Sequence, residues 1–282
     1  VQASVIDFQP MGLQHLEGAH LLSSQARWPH RREDWQMLLH LSEGRVLVDV
    51  GRVLATIFLT PFGEDVATIN MVIVSESLRG RGIGKALMHE ALTLAGNREC
   101  RLVATSDGLP LYRKLGFVET GEILQHQGPL AIVPPRPDGV DWADFADREQ
   151  IVALDRQALD ADRHRLIDRL MTDGRLAVIR QNGAVVGYAA IRDFGRGRVV
   201  GPVVAPSQAE AIALLSFLFS TCNVGDFLRV DTDSNSGIAD WLIAHGLVHV
   251  GGGIAMIRPG KTLPRSINHP VSRFALASQA LG

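Results

Sequence analysis

With 282 residues, 46% of them hydrophobic and 21% charged, and a net charge of -2, the chain reads as an ordinary globular protein. At ~150 residues per domain it has length for about two cores. No basic excess marks a nucleic-acid partner, so none is expected. The longest apolar run, Ala211 to Phe219, is broken by Ser216 and falls short of the ~20 residues a bilayer span needs. A buried helix is predicted there, and no membrane association.

The N-terminal stretch VQASVIDFQPMGLQ has no basic region followed by a long apolar segment. Cys100 and Cys222 are the only cysteines and sit in apolar surroundings, as reduced core thiols of a cytoplasmic protein would. Neither has a Cys or His partner at ligand spacing and the ten histidines are scattered, so no metal is expected.

In chain order, apolar spacing predicts a helix over Met11 to Ser23 and another over Glu33 to Leu41, joined by a polar and aromatic connection holding Trp28 and His30. A hairpin follows, Arg45 to Val50 and Val53 to Leu59 around Gly51, then a turn at Pro61 to Asp65 leading into a strand that ends at Val72, Ile73 and Val74. From Ile83 the apolar positions switch to helical spacing through Ala86, Leu87, Ala91 and Leu94. Between strand and helix lies Arg79-Gly80-Arg81-Gly82-Ile83-Gly84. Glycines allow a sharp turn and close approach of a ligand, and the helix start offers unpaired N–H groups and the positive dipole end. This stretch is an anion site by construction.

Spacing narrows the anion. The dinucleotide fingerprint fails in both registers, because Lys85 and Leu87 occupy the position of its last small residue. The nucleotide P-loop fails because Arg79 stands where it needs glycine and Ala86 where it needs Ser or Thr. What fits is Val74-x-x-x-x-Arg79-x-x-Gly82-x-Gly84. After a short strand, Arg101 to Thr105, a short helix over Leu109 to Leu115 carries Tyr112 and is stopped by Gly116-Phe117.

These two motifs, in this order and at this distance, resemble the GNAT superfamily of N-acetyltransferases, the matching stretch covering residues 69 to 117. The resemblance implies an α/β (α+β) fold with a mixed sheet. It implies acetyl-CoA as cosubstrate, with the phosphates cradled by Arg79, Gly80, Arg81, Gly82, Ile83, Gly84 and Lys85. The pantetheine arm and acetyl oxygen would lie on the backbone of Val72, Ile73 and Val74, and Thr105 stands where many members have asparagine. Tyr112 would face the thioester sulfur as proton donor, a phenol of pKa ~10 being protonated at neutral pH. Trp28 and His30 fall on the connection that walls the acceptor site. For the base, His30, Glu33, Glu64, Asp65 and Asp107 are candidates, none singled out. Glu76 departs from the family pattern, replacing a proline that commonly ends the strand.

Gly128 to Gly139 holds four prolines and reads as a linker. Beyond it the chain repeats itself: a shift of 130 residues places Gly44-Arg45 on Gly174-Arg175, Val74 on Val204 and Gly116-Phe117 on Gly246-Leu247, while Phe62-Gly63 meets Phe194-Gly195 at 132. Duplication of one domain is indicated rather than a solenoid. The same shift turns Arg79, Gly82 and Gly84 into Ala209, Ile212 and Leu214, and Tyr112 into Leu242. The expected organisation is therefore two tandem GNAT-like acyl-CoA N-acyltransferase domains: a catalytic one over 1–133, a Pro-rich linker over 134–139, a degenerate copy over 140–260, and a tail over 261–282, the last segment from Arg258 carrying turn signals at Pro259-Gly260, Pro264, Asn268 and Pro270. Part of the charged group Asp155, Asp160, Asp162 and Arg163 is expected to face the first domain and help shape the acceptor pocket. The function expected is acetyl transfer to a primary amine of a small molecule, an amino acid or related metabolite, by a monomer or homodimer. Acetylation of protein lysines or N-termini, and a non-catalytic acetyl-CoA-sensing module, stand as alternatives.

Overall fold

The computed structural model describes residues 7–261 and 270–282. The first N-terminal residues, and the turn signals at Pro264 and Asn268, lie outside them. The chain divides into two compact units, residues 1–101 with 259–262 and residues 102–258 with 263–282.

The first unit opens with β1 (Gln9–Pro10), a 3-10 turn at Leu13–His15, α1 (Leu16–Gln25) and α2 (Arg32–Leu41). Then come β2 (Glu43–Asp49), β3 (Arg52–Phe62), β4 (Val66–Val74), α3 (Ile83–Ala95) and the start of β5 (Glu99–Ala104). The strands lie in sequence order, antiparallel except that β4 and β5 run parallel. The first predicted helix is split by the 3-10 turn, and β3 runs on through Pro61, which faces Ala67. Trp35 of α2 packs on Phe58 of β3 with ring centroids 5.7 Å apart, and its indole N–H donates to the Ser23 hydroxyl of α1 at 3.0 Å. Burying an indole with its N–H paired ties both helices to β3 without an orphaned donor. α3 buries Ile83, Leu87 and Ala91, as its spacing predicts, together with Met88 and Ala95, while Ala86 and Leu94 are half-buried; the buried face packs against β2, β3 and β4.

The second unit holds the end of β5, α4 (Leu109–Lys114), β6 (Val118–Pro129), β7 (Val140–Trp142), α5 (Arg148–Leu159) and α6 (His164–Asp173). It continues through β8 (Gly174–Gln181), β9 (Ala184–Phe194), β10 (Gly197–Ala205), α7 (Gln208–Phe219), β11 (Phe227–Asp233), α8 (Ala239–Ala244), β12 (Val248–Arg258) and β13 (Ser272–Ala275). From β7 to β12 this repeats the order of elements from β1 to β6. Its strands are ordered β12-β6-β11-β13-β10-β9-β8-β7. The last strand of each repeat is exchanged: β6 pairs with β11 from Phe227↔Pro129 to Asp233↔Ile123, while β12 lies beside the Leu102–Ala104 end of β5. Gly253 makes that approach possible, since a Cβ there would lie 2.6 Å from the Ala104 carbonyl oxygen. This exchange is why the compact units divide inside β5 and not at residues 134–139. Those residues form no helix or strand, and Arg136 stacks over Phe217 at 4.4 Å.

α7 buries Ala211, Leu214, Leu215, Phe217, Leu218 and Phe219, so the longest apolar run is a core helix as predicted. Its position corrects one pairing of the repeat. Ala209, Ile212 and Leu214 lie within α7, because only Pro206 and Ser207 separate it from β10, whereas Ser75 to Gly82 separate β4 from α3. The second copy has lost the turn itself, and its helix starts at a shift of 125 instead of 130. Arg163 is a second correction. It is buried, pairs with Asp155 at 2.6 Å and donates to the carbonyls of Leu281 and Gly282, so it serves the interior of its own unit. Cys100 and Cys222 are buried free thiols.

Leu214→Asp should cost at least about 4 kcal/mol by placing a carboxylate in a closed apolar core. Ala209→Asp, exposed in the first turn of the same helix, should be neutral or slightly stabilising through the helix dipole. Urea midpoints of the two variants measure the contrast.

Candidate active site

Trp28, His30 and residues 72–85 lie in the first unit; Thr105 and Tyr112 lie in the second.

In the first unit the site begins with an irregularity in β4. Phe58 faces Asn70, but the next pair is Thr56 with Ile73, so Met71 and Val72 together oppose Ile57. Met71 takes φ +51, and its carbonyl accepts the Thr56 hydroxyl at 2.8 Å, both groups being buried. A bulge of this kind bends the strand and re-aims the residues beyond it. Within this unit β4 pairs with β5 over Val66–Thr68 against Glu99–Arg101, and β4 runs on past the bulge to Val74.

The turn comes immediately after β4. Gly80 and Gly82 take φ +76 and +80, the left-handed region where a side chain is strained, and a Cβ on either would meet no atom within 4 Å. Glycine is thus required by the backbone and leaves open space above it. Gly82 is the N-cap of α3. The first N–H of that helix with an internal acceptor is that of Ala86, on Gly82 at 3.0 Å. Those of Ile83, Gly84 and Lys85 precede it, the groups a helix cannot satisfy itself. Arg79, Arg81 and Lys85 are exposed around them, Arg79 held only loosely by Glu76 at 3.9 Å. The sequence-derived loop, Arg79 to Lys85, is brought together around the start of α3, directly after β4.

Trp28 and His30 are half-buried neighbours in the α1–α2 connection, with ring centroids 5.8 Å apart. Glu64 and Asp65 sit at the opposite end of β4 from the turn, roughly 25 Å away at the rise of a strand. Distance removes both as bases. Glu33 and Asp107 are exposed.

Among residues that sequence reasoning passed over, Met71 and Thr56 create the bulge. A signal existed, since the shift of 130 places Met71-Val72 on Gly201-Pro202, a pair that breaks any regular strand. Thr60 and Asn70 also escaped notice: buried on the same strands, the Asn70 amide donates to Thr60 at 2.9 Å, and Thr60 pairs with Ser42 at 2.6 Å.

In the second unit, Tyr112 is buried in α4, its ring 6.0 Å from Phe117 and packed over Gly108, where a Cβ would lie 2.7 Å from the ring. Burial pushes the phenol up to about 12. Its distance from the pKa of a thiol, ~8.5, favours donation of a hydrogen bond over complete transfer of the proton. Thr105 is exposed and spends its carbonyl on the N–H groups of Gly108 and Leu109, so it orders the start of α4. Leu242 occupies the same place in α8, with the Leu247 N–H on its carbonyl at 3.0 Å as that of Phe117 is on Tyr112 at 3.1 Å.

A bulged strand in a parallel pair, followed by a glycine-capped helix N-terminus, is the arrangement of an acyltransferase of the GNAT type, and it occurs here in a duplicated chain. Models described as "Acetyltransferase (GNAT) domain" match residues 42–119 and 151–270, and the chain belongs to this family, with two such domains. It is 29% identical over 280 residues to YitH of Bacillus subtilis, an uncharacterized N-acetyltransferase, covering 95% of this chain and 96% of that one. It is 25% identical to the holothin acyltransferase of a Pseudoalteromonas species, over 81% of this chain and 77% of that one. A crystal structure of a candidate acetyltransferase from Pyrococcus horikoshii superposes with a TM-score of 0.81 at 18% identity, covering 100% and 98% of the two chains.

The chain has two tyrosines, Tyr112 and Tyr188, both buried, and burial also raises Tyr188, with the Asp155 charge adding to it. Neither should show phenolate absorbance at pH 10 in the folded protein, while both should in urea. Because the folded chain holds these protons more tightly, their contribution is whole below pH ~10, and that of Tyr112 is lost as pH rises through about 12, so stability should fall over that interval.

Proposed function

We propose that the protein transfers an acetyl group from acetyl-CoA to the primary amine of a small molecule, an amino acid or related metabolite, in a ternary complex. The observation that carries this reading is the strand end beyond the β4 bulge, next to the glycine turn. A long thioester with a phosphorylated end needs both, a strand edge for its amide-bearing arm and a helix N-terminus for its phosphates.

In this reading the N–H groups around Gly80 to Lys85 bind the pyrophosphate, with Arg79, Arg81 and Lys85 adding charge. The backbone of Val72 to Val74 pairs with the pantetheine amides and polarises the acetyl carbonyl. The amine nitrogen attacks the carbonyl carbon; the N–C bond forms, the C–S bond breaks, the amine gives up a proton and the departing thiolate gains one. Tyr112 stabilises that thiolate by hydrogen-bond donation, in keeping with its raised pKa. An α-amine with pKa ~7.7 to 8.0 is already partly neutral, so no strong side-chain base is required of this site. Trp28 and His30 line the acceptor side. One relative being named for acylation of holothin, not of a protein, supports a small acceptor.

Thiol release from acetyl-CoA across amino acids, other small primary amines and lysine-bearing peptides tests the reading. Turnover confined to small amines is the expected result; turnover only with peptides would move the assignment to protein acetylation, and binding without turnover to a sensor. Gly82→Asp puts a side chain and a negative charge in the cradle and should weaken acetyl-CoA binding more than about 100-fold, measured by calorimetry. Tyr112→Phe should lower kcat about 100-fold with the KM for acetyl-CoA nearly unchanged.

A further inference from the structure

The second copy repeats the parallel pair and the register shift. β10 and β11 run parallel and pair at Arg198↔Leu228 and Val199↔Arg229, as β4 and β5 do at their own starts. The register of β10 against β9 then shifts between Val200 and Val203, at Gly201-Pro202, the positions that correspond to Met71-Val72. The gap is filled. β13 enters it and pairs antiparallel with β10, Val203 with Ala275, Val204 with Arg273 and Ala205 with Ser272, while Thr232 of β11 pairs with Ala275 from the other side. The Leu276 N–H donates to the Asp231 carbonyl at 2.8 Å. At the shift of 130, Val203 and Val204 are the counterparts of Ile73 and Val74.

Two further features hold the segment. Gly201, at φ +150, lets the chain pass so closely that a Cβ there would lie 1.9 Å from the Leu276 carbonyl oxygen. Beyond the strand, the buried Arg163 points at the carbonyls of Leu281 and Gly282, 3.1 and 2.6 Å from its Nη1. Its Nε and Nη2 donate to Asp155, which also accepts the Tyr188 hydroxyl. The segment therefore supplies two carbonyl acceptors to a buried guanidinium.

We infer that the parted strands of the second copy form a binding site for an extended peptide strand, and that its resident ligand is the chain's own segment 272–282. The second copy then binds no acyl-CoA for two separate reasons: the slot is filled by backbone, and the turn that would hold phosphates is absent. The comparison with a thioester arm rests on the proposed reading of the first copy; the strand pairing does not.

The test uses the full chain, a chain truncated before Pro270, and a synthetic peptide of residues 272–282. Truncation should raise amide exchange at Val203 to Ala205 and Thr232 at least tenfold and lower Tm by more than about 5 °C. The peptide added in trans should restore both, a scrambled peptide neither. Unchanged exchange after truncation, or a folded truncated chain that ignores the peptide, overturns the inference. Should the truncated chain not fold, Arg163→Gln in the full chain decides it: at least tenfold faster exchange at Phe274 to Leu276 with β8 and β9 unchanged supports it, and no selective change overturns it. Calorimetry of the full chain should find one acetyl-CoA per chain, and two would overturn the inference. No binding, with the segment still protected, would instead overturn the reading of the first copy alone.

Discussion

A strand that takes in an extra residue must bend and re-aim everything beyond it, and much of this molecule depends on one such bulge. The bulge is a small device: Met71 in a left-handed conformation, its carbonyl fixed by the Thr56 hydroxyl, with two residues of β4 set against one of β3. The left-handed residue carries strain that the buried hydrogen bond and the packing of β3 and α3 around it must hold in place.

The duplicated chain shows the same bulge with two outcomes. In one copy it lies beside an eight-residue connection, Ser75 to Gly82, that ends in a glycine-capped helix; in the other the connection has shrunk to Pro206 and Ser207, and a strand of the chain itself lies against β10. In the second arrangement backbone pairing, the guanidinium of Arg163 and the hydroxyl of Tyr188 all find partners.

Much of this was legible in the residues. The glycine turn, the helix behind it, the short helix of Tyr112 and the repeat were readable because each depends on local chemistry: positive φ, 3.6-residue spacing, a glycine stop. The bulge was not, since an apolar run such as Ile69 to Val74 carries no mark of where its register slips. A constant shift also could not reveal that the second copy had deleted its turn, because helix-compatible residues fill Ala209 to Leu214 in any register. Arg163 read as a surface charge because sequence does not show which guanidinium will be enclosed by a distant segment. The raised phenol of Tyr112 came from packing over Gly108 and Phe117, again a tertiary effect.

The exchange of final strands carries a consequence for the history of the chain. Once β6 had settled against β11 and β12 against the end of β5, neither half of the duplication could be excised without baring a strand edge, a template for aggregation. A gene fragment ending after the first repeat would encode β6 without its mate. The two halves therefore became a single heritable unit. Selection could relax on one site and let it fill, but it could no longer discard the domain that carried it.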